Sequence, residues 1–170
     1  MSLIELLESG RQDVLDAVDG LTEAAALAKP SPDRWSVLEC MEHVVIVEER
    51  FQGWLQNGPA IASAPKPENE TRLFSMVTDR SAKVTAPEAV VPSGRFVVLK
   101  EAVLAFNAAR DRSVSLVKEH GEALYTIGAR HGRFGELNGV EVVHLMAGHA
   151  RRHAAQIREL GEAAADPKTP

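Results

Sequence analysis

Residues 138–160, N-G-V-E-V-V-H-L-M-A-G-H-A-R-R-H-A-A-Q-I-R-E-L, constrain the fold more than any other stretch, because they read as one helix. Asn138 is a good N-cap residue, and Glu141 follows at the capping-box spacing. Val142, Met146, His149, His153, Gln156 and Leu160 recur at steps of 4, 3, 4, 3 and 4, the seam of a helix packed in a bundle. His149 and His153 stand at i and i+4, so their rings share one face, one turn apart. That spacing lets two imidazoles hold one metal ion. Gly148 and Ala150 are small, which lets a neighbouring helix come close.

A seam helix needs partners, and the rest of the chain supplies three. Leu3, Leu6, Leu7, Val14, Val18 and Leu21 carry a stripe over 3–28, closed by Lys29-Pro30-Ser31-Pro32. Ser36 and Glu39 form a capping box that opens a helix over 36–57, stopped by Asn57-Gly58-Pro59. Ser93 can cap a helix over 94–119, with Phe96, Leu99, Val103, Phe106, Arg110, Ser113 and Val117 as its stripe. Between them, residues 60–92 read as a long surface link with a helix of moderate quality over 69–84. Links of that length are usually functional or mobile. Residues 130–138 read as a glycine-punctuated loop. The expectation is an all-α, four-helix bundle over 1–165 with a long second-to-third helix crossover, no sheet beyond a stray pair, and a frayed tail at 166–170.

The second helix has its own seam: Ser36, Cys40, His43, Val47, Arg50 and Trp54. Three of the six histidines therefore lie on the seams of two helices. If those helices are neighbours, His43 can meet His149 and His153 in the bundle core. Three neutral imidazoles suit Zn²⁺, Ni²⁺, Co²⁺ or Fe²⁺ and leave a position for water or substrate. The competing reading is three core histidines satisfied by hydrogen bonds, and spacing alone leaves both open. Glu39, one turn before His43, is a candidate carboxylate to orient an imidazole or act as a base, or simply the N3 residue of its capping box. Arg50 and Gln156 are candidates to line the mouth and hold an anionic group of a substrate or cofactor. Cys40 is a candidate fourth ligand or a small core hydrophobe. His144 points away from His149, His120 suits a helix C-terminus, and His131 sits in a loop.

Composition narrows the function classes. A net charge of -5 without a basic block argues against a nucleic-acid partner. The single cysteine permits no internal disulfide. The first residues lack a basic n-region, and no apolar run is long enough to span a bilayer, so a cytoplasmic protein without a membrane partner is expected.

Three motifs together resemble the DinB/YfiT-like superfamily. Trp35-Ser36 through Glu39 to His43 is similar to its W-S-x-x-E-x-x-x-H opening of the second helix. Residues 131–138 resemble the loop before its last core helix, with Gly132 where many relatives carry proline. His149-Ala-Arg-Arg-His153-Ala-Ala-Gln156-Ile157 resembles its H-x-x-R-H-x-x-Q-I signature. The resemblance covers about residues 1–162. It implies an up-down-down-up bundle and a divalent metal, zinc or nickel foremost, on His43, His149 and His153. It further implies a small-molecule substrate, a homodimer, and either a metal-dependent hydrolase or a thiol S-transferase using a low-molecular-weight thiol. A non-catalytic metal- or ligand-binding stress protein is the alternative.

Overall fold

A computed structural model describes residues 1–64, 66–81 and 84–165, so the tail expected at 166–170 lies outside the described residues. The helices are α1 (Leu3–Val18), α2 (Glu23–Leu27), α3 (Val37–Asn57), α4 (Pro67–Thr78), α5 (Leu99–His120) and α6 (Gly139–Ala165). The bundle consists of α1, α3, α5 and α6. Helix α1 packs beside α5 and α6, and α3 also packs beside α5 and α6.

Cross-contacts fix the helix directions. Gly10 faces Ala147 and Ala150, Asp13 pairs with Arg151, and Leu21 meets Gly161, so α1 and α6 run the same way. Glu48 pairs with Arg110, while Gln52 reaches Ser113, so α3 and α5 also run together. His43 meets His149 whereas Leu55 meets Gly139, so α3 and α6 are antiparallel. The order is up-down-down-up. Parallel neighbours cannot be joined by a tight turn, so the link from α3 to α5 must travel back along the bundle. Helix α4 sits in that link and packs on α6, with Leu73 buried.

Apolar side chains fill the bundle. Leu7, Phe51, Leu55 and Met146 belong to one buried cluster, and Met41, Phe106, Ala154 and Ile157 to another. Burying each larger side chain contributes about 1.5–3 kcal/mol. One polar network is also enclosed. Arg110 is fully buried, with Nε 2.9 Å from Glu48 Oε1 and Nη2 donating to Oε2 at 3.0 Å. Its Nη1 donates to the Leu7 carbonyl, and Ser113 Oγ donates to Glu48 at 2.6 Å. The Arg110 of the sequence stripe is thus a core ion-pair partner.

Four expectations are corrected. The first stripe is two helices, because the chain turns at Gly20 (φ 71°) and Thr22 recaps α2 by accepting the Ala25 N–H. The helix placed at 94–119 begins at Leu99, because Ser93 hydrogen-bonds Glu42 instead of capping. Glu23 takes over that end, accepting the Leu99 N–H at 2.9 Å. The helix placed at 69–84 spans Pro67–Thr78. The loop before α6 is an antiparallel hairpin, β1 (Gly128–His131) with β2 (Gly135–Asn138), paired Gly128 with Asn138 through His131 with Gly135. No helix among the described residues is long and apolar enough to cross a membrane.

Removing one side of the buried pair should expose its cost. Glu48→Ala is expected to destabilise the fold by about 3–5 kcal/mol in urea denaturation, since Arg110 stays buried without its carboxylate. The double variant Glu48→Leu/Arg110→Met should recover most of that loss. A double variant as unstable as the single one would contradict this account.

Candidate metal centre

The phase of α6 decides where His149 and His153 point, and the helix start is held from several sides. Asn138 Oδ1 accepts the Glu141 N–H at 2.9 Å, and Glu141 Oε2 accepts the Asn138 N–H at 2.8 Å. Asn69 of α4 adds a hydrogen bond to Glu141 Oε1. The hairpin leads straight into this cap. On the opposing helix, Ser36 Oγ accepts the Glu39 N–H at 3.2 Å and Glu39 Oε2 accepts the Ser36 N–H at 2.8 Å. Each box contributes about 1 kcal/mol and fixes the starting register of its helix.

His43, His149 and His153 converge at the crossing of α3 and α6. One ring nitrogen from each lies within 4.8 Å of the others. His43 Nε2 and His149 Nε2 are 3.1 Å apart. Two imidazoles on a tetrahedral zinc, each at about 2.0–2.1 Å, have nitrogens roughly 3.3 Å apart. The ring centroids lie 5.0, 4.7 and 4.4 Å apart for His43–His149, His43–His153 and His149–His153. His43 and His153 are buried, while His149 keeps partial exposure.

Hydrogen bonding supports the fit of a cation. His43 Nδ1 is 2.7 Å from the Val90 carbonyl. A carbonyl only accepts, so Nδ1 carries the proton and Nε2 presents its lone pair to the cluster. His153 Nδ1 is buried without a hydrogen-bond partner. An orphaned buried acceptor or donor costs about 1–3 kcal/mol. Three neutral nitrogen donors with one partly exposed ring make a ligand set that suits zinc, nickel or cobalt and leaves room for a further ligand.

Electrostatics keep these rings neutral. Burial pushes His43 below the ordinary histidine value, partly offset by the Val90 hydrogen bond. Burial pushes His149 well down, with the His153 and His43 charges and then Arg152 adding to it. His153 is pushed well down by burial, then by His43 and Arg152, against a raising contact from Gln156. The surroundings are cationic. Arg152 Nη1 donates to the carbonyls of Val77, at 3.3 Å, and Asp79 at the end of α4. Arg80 donates to the Arg152 carbonyl at 3.4 Å and pairs with Glu159.

The remaining sequence candidates are placed as follows. Glu39 has both carboxylate oxygens engaged, one by the Ser36 N–H and one 2.8 Å from Lys29 Nζ. Partial burial raises its pKa, but the Lys29 and Ser36 bonds outweigh it and hold it below the ordinary value. Gln156 contacts His153, whereas Arg50 is exposed and lies over Trp54, 5.6 Å from the ring centroid, towards the other end of α3. Cys40 does not join the converging group, and burial pushes its thiol up to about 12. His144 donates along its own helix to Val140, and His120 closes α5. His131 Nδ1 accepts the Arg133 N–H at 3.0 Å and caps the hairpin turn, with its ring against Phe134.

Sequence reasoning missed two contributors. One is the Val90 carbonyl, a backbone group in the crossover for which no residue pattern exists. The other is Glu42, next to His43 and 1% exposed. A carboxylate between Met41 and His43 in an apolar run was its visible signal. Trp35, quoted for its motif, lies with its ring centroid 4.8 Å from that of His43.

The model of the DinB superfamily matches residues 6–157. The uncharacterized protein YuaE of Bacillus subtilis (strain 168) is 22% identical over 159 residues, covering 94% of this chain and 97% of that one. Two solved structures share the fold. TT2238, described as a four-helix bundle protein, has a TM-score of 0.57 at 19% identity, covering 95% of this chain and 96% of its own. YfiT from Bacillus subtilis, described as a probable metal-dependent hydrolase with an unusual four-helix bundle topology, has a TM-score of 0.58 at 17% identity, covering 95% and 85%.

Two outcomes are expected of the histidine cluster. His153→Ala should abolish stoichiometric zinc or nickel uptake measured by mass spectrometry, while His144→Ala and His120→Ala should retain it. Equal loss in all three would remove the cluster from consideration. The second outcome concerns pH. The folded rings sit below 6.5, the ordinary histidine value, so the unfolded chain takes up protons first as pH falls. The neutral rings' contribution is complete above about 6.5 and is lost as pH drops below it. Chemical denaturation of the metal-free protein should show this loss, and His153→Ala should flatten it. A wild-type profile no steeper than that of the variant would contradict the assignment.

Proposed function

The chain belongs to the DinB superfamily, and on that premise we propose that it is a divalent-metal-dependent enzyme acting on a small molecule at His43, His149 and His153. The observation that carries the reading is the convergence of three neutral imidazoles on one point, with His149 partly exposed. A divalent ion held there would supply Lewis acidity, which lowers the pKa of a bound water or thiol. His43, His149 and His153 hold it, with zinc or nickel the first choices. Gln156 steadies His153 at the mouth. The cytoplasm and a homodimer complete the proposal.

Hydrolysis is the first reading, supported by the fold shared with YfiT, which is described as a probable metal-dependent hydrolase. A second reading, transfer of a low-molecular-weight thiol, is favoured by a specific observation. Glu39, the base candidate one turn before His43, is tied to Lys29 and Ser36 and makes a poor base, and Glu42, next to His43, has its oxygens filled by residues 93–95. A thiol ionises near neutrality far more readily than water and needs no such base. The arginines flanking the site, Arg80 and Arg152, suit an anionic substrate in either reading. Arg50 lies over Trp54, further along α3 from the histidines, and takes no part in this reading.

The test uses protein loaded with zinc or nickel. Ester and amide cleavage is compared with thiol addition to an electrophilic aromatic substrate. Turnover should require the metal, vanish with chelator, and vanish in His149→Ala. Arg152→Ala should raise KM for anionic substrates more than for neutral ones. Loaded protein that turns over neither substrate class would leave the binding-only alternative standing.

A further inference from the structure

Two adjacent residues of α3 grip the crossover at two points. His43 Nδ1 donates to the Val90 carbonyl at 2.7 Å. Glu42 accepts from the Ser93 N–H at 2.6 Å, Ser93 Oγ at 3.1 Å, the Gly94 N–H at 3.1 Å and the Arg95 N–H at 2.9 Å. Neighbouring helix positions point about 100° apart, so the link is wrapped over α3 and held on two faces. Glu42 is 1% exposed. A buried carboxylate is costly unless its lone pairs are filled, and here three backbone N–H groups and a hydroxyl fill them. Only Val91 and Pro92 separate Val90 from Ser93, and Pro92 restricts the chain. The grip on residues 93–95 therefore helps set the position of the Val90 carbonyl, together with the burial of the Val90 side chain in the core.

We infer that Glu42 is a positioning residue of the metal centre: by clasping residues 93–95 it holds the Val90 carbonyl where it fixes His43 in its Nδ1–H tautomer, with Nε2 turned to the metal. The inference rests on the reading of the three histidines as metal ligands. A neutral imidazole has two tautomers, and only one leaves Nε2 free to bind. Without the clasp the carbonyl is held by the packing of Val90 alone, and the ring samples both forms. Glu42 reaches the metal centre only through Val90 and His43, and it touches neither ion nor substrate.

Long-range proton–nitrogen NMR of the metal-free protein reads the tautomer, and Co²⁺ titration reads affinity. Wild type should hold His43 as Nδ1–H. Glu42→Gln should give a mixture of tautomers and lower Co²⁺ affinity about 10–100-fold, the usual effect of removing an outer-shell partner. Val114→Ala, a core change in α5, controls for general loosening and should keep wild-type tautomer and affinity. Ser93→Ala removes one of the four bonds and should shift both readouts less, in the same direction, which serves if Glu42→Gln does not fold. Unchanged tautomer and affinity in the folded Glu42 variant would overturn the inference. So would an equal affinity loss in Val114→Ala. Wild-type protein that binds no Co²⁺ at the histidines would overturn the proposed function instead, while the tautomer comparison would still decide the role of Glu42.

Discussion

Burying three imidazoles at one crossing of α3 and α6 is the costly feature on which the rest of the structure depends. Each ring brings a donor and an acceptor into a bundle whose interior is otherwise filled by apolar clusters holding residues such as Met41, Val44, Met146 and Ile157. The fold answers part of that cost with hydrogen bonds, to Val90 from His43 and between His43 and His149. It leaves His153 Nδ1 unanswered. A bundle that sought stability alone would place leucines there, since buried polar groups rarely out-stabilise apolar packing. The arrangement makes sense when a cation completes it.

The up-down-down-up order and the site are linked. Because α3 and α5 run parallel, their connection must return along the bundle, and its path crosses the histidines. The crossover then does more than join two helices. It supplies α4, which packs on α6 where Gly148 lets the Phe74 carbonyl and the Val77 side chain approach. It supplies the Val90 carbonyl to His43 and the N–H groups that satisfy Glu42. Small residues matter equally on the other side of α6, where Gly10 of α1 lies against Ala147 and Ala150. A Cβ at Gly10 would sit 3.3 Å from the Ala147 carbonyl and 3.4 Å from Arg110, so close packing and the buried ion pair share one space.

Much of this was legible in the chain. The two capping boxes, Ser36 with Glu39 and Asn138 with Glu141, announced the starts of α3 and α6, and their 3–4 steps placed the histidines on facing seams. What escaped the sequence was set by tertiary partners. Ser93 has the chemistry of an N-cap, but Glu42 claims it and Glu23 caps α5 from a distant helix. The break at Gly20 lay inside an apolar stripe that carried on through Leu21, whose side chain packs at Gly161. The hairpin at 128–138 has strands too short for a period-2 pattern, and it is anchored by His131 and Phe134 packing near Phe51 and Trp54. Arg110 stood on the α5 stripe without a visible partner, because nothing local shows that Glu48 meets it.

X-ray absorption on the zinc- or nickel-loaded protein tests the central claim most directly, because it reports the ligands of the bound ion. The account predicts three imidazole nitrogens, at about 2.0–2.1 Å if the ion is zinc, with any further scatterer a light atom from solvent. A sulfur scatterer from Cys40, or fewer than three imidazoles, would contradict it.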